Sequence, residues 1–186
     1  ARVTRQHVTV ALSGDAGDET FAGYDRYLAY RLLSEYRRLP QALRRAVARA
    51  VAGLPESTDY YSPLRRLKRF LEAAASQEPE LSYLKWICHF DDGQKAELYQ
   101  PGMAAATTRS SSGYLRGLFE EYAGAGNVEK LMAVDIVSYL PYDLLAKIDV
   151  ASMANSLEVR CPFLDHHLVE FAASLPLALK LRGVTK

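Results

Sequence analysis

"VTVALSGDAGDETFAGY", residues 8 to 24, decides how the rest of the chain is read. Val8 to Leu12 is a short, β-branched apolar run that stops at Ser13-Gly14, the pattern of a buried strand ending in a turn. From Asp18, Phe21, Tyr24, Leu28 and Leu32 recur at three- and four-residue spacing, so one helix is predicted from Asp18 until Pro40 breaks it. Three carboxylates, Asp15, Asp18 and Glu19, lie between, among Gly14, Ala16 and Gly17. A strand that runs into Ser-Gly and then opens a helix has the geometry of a nucleotide crevice. Ligands of open α/β sheets sit beyond the carboxyl ends of strands and at helix N-termini. Small Ser13 and Gly14 let the backbone approach a ligand, and the Ser13 hydroxyl can donate or accept. Carboxylates repel phosphate but reach it through Mg²⁺, which uses one or two carboxylates plus phosphate oxygens. Asp18 is the candidate for that role, with Asp15 nearer the reacting centre. The same acids also suit plain capping of a helix N-terminus, and spacing leaves both readings open. The stretch has neither calcium-loop spacing nor the lysine of a Walker-type loop.

A second concentration of charge lies in "YLPYDLLAKIDVASMANSLEVRCPFLD", residues 139 to 165. Asp143 and Lys147 stand four apart, acid first, the favourable order for a helical ion pair, with Leu144, Leu145 and Ile148 expected in the core. Asp149 follows them. Glu158 and Arg160, two apart in an extended segment, share a face, and Pro162 keeps Cys161 extended. An ion-pair network that orders the last helices accounts for these charges as well as a site does.

Working outward, the chain is mostly helical. Helices are predicted over 41–52 with Leu43, Ala46, Val47 and Ala50 inward, and over 63–75, 79–90, 93–98 and 113–123. Residues 53–62 read as a loop and 101–113 as the most flexible-looking segment. Val128 to Asn155 reads as two successive helices divided by Pro141, which the first turn of the second tolerates. Asp165 caps a last helix reaching Ser174, with Leu168, Val169 and Ala172 inside. Tyr83, Trp86 and Phe90 read as core and Asp91-Asp92-Gly93 as a turn. This leaves one strand and many helices, with no second segment for the strand to pair with. A lone strand needs a sheet to pair with, so this is an odd inventory for a self-contained fold.

Basic and acidic residues nearly cancel, 23 against 22, so net charge points to neither nucleic acid nor an acidic membrane. No apolar run approaches the roughly 20 residues of a membrane helix. Cys88 and Cys161, far apart and without metal-type spacing, could pair in principle but better suit a reduced, cytoplasmic chain, where they read as small buried apolar residues. The opening Ala1-Arg2-Val3 and the closing Thr185-Lys186 read as the ends of a piece of something longer.

Together "ALSGDAGDETFAGYDRY" and "LAKIDVASMANSLEVRCPFLDHHLVEFAASLP" resemble the synthetase domain of the glutamine-hydrolysing asparagine synthetases. The family reads approximately S-G-D-G-G-D-E-L-F-G-G-Y and K-x-D-R-x-S-M-x-x-S-L-E-x-R-x-P-F-L-D-H. Ala16, Thr20 and Ala22 stand where it has Gly, Leu and Gly, and Val150 where it has Arg. The resemblance implies the C-terminal part of an adenine nucleotide alpha hydrolase-like (ATP pyrophosphatase-type) α/β fold over residues 1–186: the last sheet strand plus a helical half. It implies Mg-ATP activation of the aspartate side-chain carboxylate and attack by glutamine-derived ammonia, giving asparagine, AMP and pyrophosphate. Ser13, Gly14 and Gly17 would then contact ATP, Asp15 would support acyl-adenylate formation, and Asp18 would help hold magnesium. Glu19, Asp143, Lys147, Asp149, Glu158 and Arg160 would stand behind them. The upstream S-G-G-x-D-S loop, an N-terminal glutaminase domain and the later K-x-G-F lysine are not in the sequence, so the piece alone is expected to make no asparagine. A homodimer fits this picture.

Two other readings stay open. The same motifs serve related amide-forming enzymes, such as β-lactam or peptide-cyclising synthetases and sugar or cell-envelope amidotransferases. A helical nucleic-acid-binding module is the reading from another class. It would use Arg37, Arg38, Arg44, Arg45, Arg49, Arg65, Arg66, Lys68 and Arg69, provided they share a face.

Overall fold

A computed structural model describes residues 1–55, 62–76, 78–106 and 110–183. It contains two strands, not one: β1, Val10–Leu12, and β2, Glu158–Arg160. They pair in parallel, with Val10 opposite Glu158, Ala11 opposite Val159 and Leu12 opposite Arg160. The partner missing from the sequence reading is therefore the "EVR" of the second motif. Residue alternation turns Ala11 and Val159 inward and Val10, Leu12, Glu158 and Arg160 outward. The expected buried strand is thus exposed on one face, with Leu12 73% accessible.

The chain divides into two compact units, residues 1–28 with 124–186 and residues 29–123. In the first, α1 (Arg2–Arg5) precedes β1, and Arg5 Nε donates to the Ser156 carbonyl at 2.8 Å beside the start of β2. The helix predicted from Asp18 to Pro40 is two. The first, α2, covers Gly17–Phe21 and ends at Ala22, whose φ of 59° no helix continues. The second, α3, Asp25–Arg37, buries Tyr27, Tyr30 and Leu33, leaving Leu32 exposed. A break at Ser138 separates α10 (Asn127–Val137) from a π-helical segment, Leu140–Leu145, that carries Pro141 in its first turn and runs into α11 (Ala146–Met153). The two-helix expectation around Pro141 holds, while Leu144, Leu145 and Ile148 are only half-buried. Asp165 Oδ1 accepts from the N–H groups of His167 and Leu168 and caps α12, His166–Ser174, as predicted. A short α13, Leu177–Lys180, follows.

The second unit is helical: the rest of α3, then α4 (Gln41–Ala52), α5 (Pro63–Ala75), α6 (Pro79–Ile87), α7 (Asp92–Leu98), α8 (Pro101–Ala106) and α9 (Ser111–Glu121). Tyr83 is fully buried and Trp86 packs edge-on to Tyr30, but Phe90 is exposed beyond the end of α6. In α4 the inward residues are Arg44, Val47 and Val51; Leu43, Ala46 and Ala50 face out, contrary to the apolar pattern. Asp91-Asp92-Gly93 is a helix start and not a turn, because Asp91 and Gln94 form a reciprocal cap. Residues 101–106 of the stretch read as flexible are helical. Both cysteines are free and half-buried. The predicted loop 53–62 lies partly, and residues 107–109 wholly, outside the described residues.

Candidate functional site

The parallel pairing sets both carboxyl ends at one edge. The ladder extends one step past β1, where Ser13 N–H donates to the Arg160 carbonyl at 2.9 Å. The chain then leaves β1 through Ser13-Gly14-Asp15-Ala16 into α2, while β2 leaves through Cys161-Pro162-Phe163. The two motifs, more than a hundred residues apart in sequence, meet here. A Cβ on Gly17 would lie 3.6 Å from the Phe163 ring, and Phe21 stacks edge-on to Phe163 with ring centroids 6.1 Å apart. Burial, and after it the charge of Asp15, pushes the Cys161 thiol upward, which puts Cys161 within the field of that carboxylate.

Within the turn, the Ser13 hydroxyl donates to Asp15 Oδ2, so the two candidate polar groups are already joined. Ala16 is fully buried with φ 73°, the left-handed conformation that glycine holds at low cost and that the usual family glycine serves. Thr20, the next departure, donates its hydroxyl to the Ala16 carbonyl at 2.6 Å and pins the strained residue. The third, Ala22, is left-handed as well and closes α2. Asp18 stands exposed in the first turn of α2. Its Oδ1 fills the space a Cβ on Gly23 would take, 1.9 Å away, so position 23 must stay glycine for the carboxylate to lie there.

Glu19 faces the other way. It is buried, 1% exposed, and accepts from the Tyr24 hydroxyl at 2.7 Å. Beneath it is a polar cluster that sequence reasoning missed. Arg26 donates through Nε and Nη2 to Asp135 Oδ2 at 3.1 and 2.9 Å, and Tyr27 donates to the same oxygen at 2.5 Å. The Arg26 guanidinium lies over the Tyr24 ring at 3.7 Å and the Tyr139 ring at 4.5 Å. Burial pushes the Asp135 carboxyl up to about 6 against the opposing pull of Arg26, and burial raises the Tyr24 and Tyr27 phenols too. α2 packs on α10 and α12, so this cluster is the floor under the turn.

Asp143, Lys147 and Asp149 are not bonded to the turn. Lys147 meets Asp143 at 3.9 Å with both side chains more than half exposed. Asp149 is exposed on α11. Among the described residues no hydrogen bond or ion pair links these three to residues 13–18. Glu158 and Arg160 do share a face, 2.7 Å apart, at the strand that carries the turn. Of the basic stretch 37–69, Arg38 pairs with Glu35, Lys68 reaches the Leu54 carbonyl and Arg69 the Trp86 carbonyl, so its charges are split among different duties.

A fit to magnesium can be judged from the donors. Among the described residues no three His, Cys, Asp or Glu side chains converge. An exposed Asp18 beside a Ser-Gly bend suits a cation that takes one or two carboxylates and otherwise shares phosphate oxygens. No described helix is long and apolar enough to cross a membrane.

The sequence pattern of the asparagine synthase family matches residues 1–186. "Asparagine synthetase [glutamine-hydrolyzing] 1" of Bacillus subtilis (strain 168) is 32% identical over 190 residues, covering 100% of this chain and 28% of that protein. "Putative asparagine synthetase [glutamine-hydrolyzing]" of Mycobacterium bovis is 34% identical over 185 residues, covering 100% of this chain and 27% of that protein. "Amidase chyE" of Penicillium rubens is 29% identical over 203 residues, 97% of this chain and 28% of that protein. The chain thus spans little more than a quarter of the length of these relatives. No solved structure matches.

Proposed function

The chain belongs to the asparagine synthase family, and from that premise we propose that it is the C-terminal part of the synthetase domain of an ATP-dependent amide-forming ligase. The observation that carries this is the parallel β1–β2 pair, which sets the Ser13–Asp18 turn beside Cys161–Phe163 at the carboxyl ends of two strands. That is where open parallel sheets hold nucleotides. The parent fold is the adenine nucleotide alpha hydrolase-like arrangement.

In this reading an oxygen of the aspartate side-chain carboxylate attacks the α-phosphorus of ATP, and pyrophosphate leaves. Ammonia from glutamine then attacks the acyl carbon, AMP departs with the bonding electron pair, and asparagine is formed. Ser13, Gly14 and Gly17 lie against the nucleotide, where the small residues admit the phosphates. Asp15, held by the Ser13 hydroxyl, orients the reacting groups and opposes positive charge that develops during transfer. Asp18 holds Mg²⁺, which neutralises the separating pyrophosphate when bound. Glu19 positions α2 from below through Tyr24 and does not touch substrate. Glu158 and Arg160 border the turn; Asp143, Lys147 and Asp149 serve the outer surface of their helix. A glutaminase domain of the same chain is the natural ammonia source, and the setting is cytoplasmic.

The test is a chimera in which these residues replace the matching segment of the Bacillus subtilis relative. Asparagine formation with stoichiometric AMP is expected, falling roughly a hundredfold in Asp15→Asn. A folded chimera that releases no AMP with any carboxylate contradicts the reading. Motifs that serve several amide-forming enzymes leave one alternative, the same chemistry on another carboxyl compound, and AMP release with that compound but not aspartate would identify it.

A further inference from the structure

We propose that Arg37 and Arg44 form a binding site for a phosphate-type oxyanion in the unit of residues 29–123, a site independent of the nucleotide reading above. Arg37 ends α3, Pro40 turns the chain, and Arg44 sits in the first half of α4. The Tyr36 hydroxyl donates to the Arg44 carbonyl at 3.2 Å and closes this hairpin. The Arg37 guanidinium is fixed: its Nη2 donates to the Ser76 carbonyl at 2.6 Å and to Ser82 Oγ at 2.7 Å. Ser82 is fully buried and passes its own proton to the Ala73 carbonyl at 2.8 Å.

What this framework leaves open is specific. The Nε–H of Arg37 and the Nε–H of Arg44 are both buried and reach no acceptor among the described residues. Buried polar groups without a partner are uncommon and ask for one. Among the described residues no carboxylate pairs with either guanidinium. Glu80, the acid whose charge is felt at the neighbouring Tyr30, is turned to Arg116 at 3.6 Å. The two arginines lie close enough for the charge of Arg44 to act on Arg37. The α4 sequence QALRRAVARAVA contains no acid to offset them. Two positive planar donors with buried, unpartnered N–H groups and no counter-charge among the described residues fit an oxyanion that accepts from several directions. A doubly charged phosphate answers the pair better than a single carboxylate does.

The experiment follows the arginine Nε–H signals of the 186-residue chain by ¹⁵N-edited NMR. Inorganic phosphate is titrated against sodium chloride at constant ionic strength. Two signals, identified as Arg37 and Arg44 with the Arg44→Gln variant, should move and saturate with phosphate and stay still with chloride alone. Arg44→Gln should weaken the affinity about tenfold at the remaining Arg37 signal. Arg44→Lys, which keeps the charge without the fork and serves if the glutamine variant fails to fold, should also weaken it. Asp18→Asn should leave it unchanged, separating this site from the nucleotide turn. A phosphate monoester run in parallel tells free phosphate from phosphate carried on a larger molecule by which of the two binds more tightly. Signals that fail to saturate, or that saturate equally in the Arg44 variants, overturn the proposal.

Discussion

Two acid–base pairs in the first unit, Asp143–Lys147 and Asp135–Arg26, differ in almost every respect that matters. The first joins residues four apart on one helix, is more than half exposed on both sides, and spans 3.9 Å. The second joins residues 109 apart, buries the carboxylate completely, and adds a phenol donor and two aromatic faces to the guanidinium. Exposed pairs are screened by water and give up little when broken, whereas a buried pair that loses one member leaves an uncompensated charge. The pair easiest to see in the sequence is therefore the one with least influence on the fold.

The largest expected effect is at the buried pair. Asp135→Ala strands Arg26 and should lower unfolding stability by about 3–5 kcal/mol, read from the urea midpoint at unchanged slope. The same carboxyl should titrate near pH 6 by carboxyl ¹³C NMR, against about 3.9 for a free aspartate. Its folded value is raised, so the fold disfavours the charged form. The stability this group contributes therefore falls as pH rises from about 4 to about 6. A carboxyl that titrates near 4 would show that Arg26 outweighs burial.

A smaller effect belongs to the turn. Gly23→Ala must drive the Asp18 carboxylate from its place and crowds the Asp18 Cα at 3.0 Å as well, and should weaken Mg-ATP binding roughly tenfold, about 1.4 kcal/mol. Isothermal titration of the variant checks this, and an unchanged affinity would remove Asp18 from the metal role. Smaller again, Ala16→Gly and Ala22→Gly each relieve a left-handed alanine and should stabilise by about 0.5–1 kcal/mol in thermal melts. At the low end, Lys147→Ala should change stability by no more than about 0.5 kcal/mol. A loss above 2 kcal/mol there would erase the contrast between the two pairs.

The same contrast explains what the sequence revealed. Strand, turn and acids at 10–19 were legible because apolar run, Ser-Gly stop and charged helix start are neighbours in the chain. So were the Asp165 cap and the Pro141 boundary. β2 was not, since Glu158-Val159-Arg160 carries one apolar residue and acquires strand character only from its pairing with β1. Asp135 gave no signal because its partners are brought to it by the fold. The inner face of α4 was misread because Arg44 is held inward and Leu43 outward, against the apolar pattern. Asp143, Lys147 and Asp149 were grouped with the site by the resemblance of the stretch that carries them, and among the described residues the fold gives them no bond to the turn.

Whether the turn holds a nucleotide is decided most directly by amide NMR of the 186-residue chain titrated with Mg-ATP. Perturbations centred on Ser13 to Asp18 and on Cys161 and Phe163, and lost in Asp18→Asn, are the expected result. Saturating Mg-ATP that leaves both segments unmoved would contradict it.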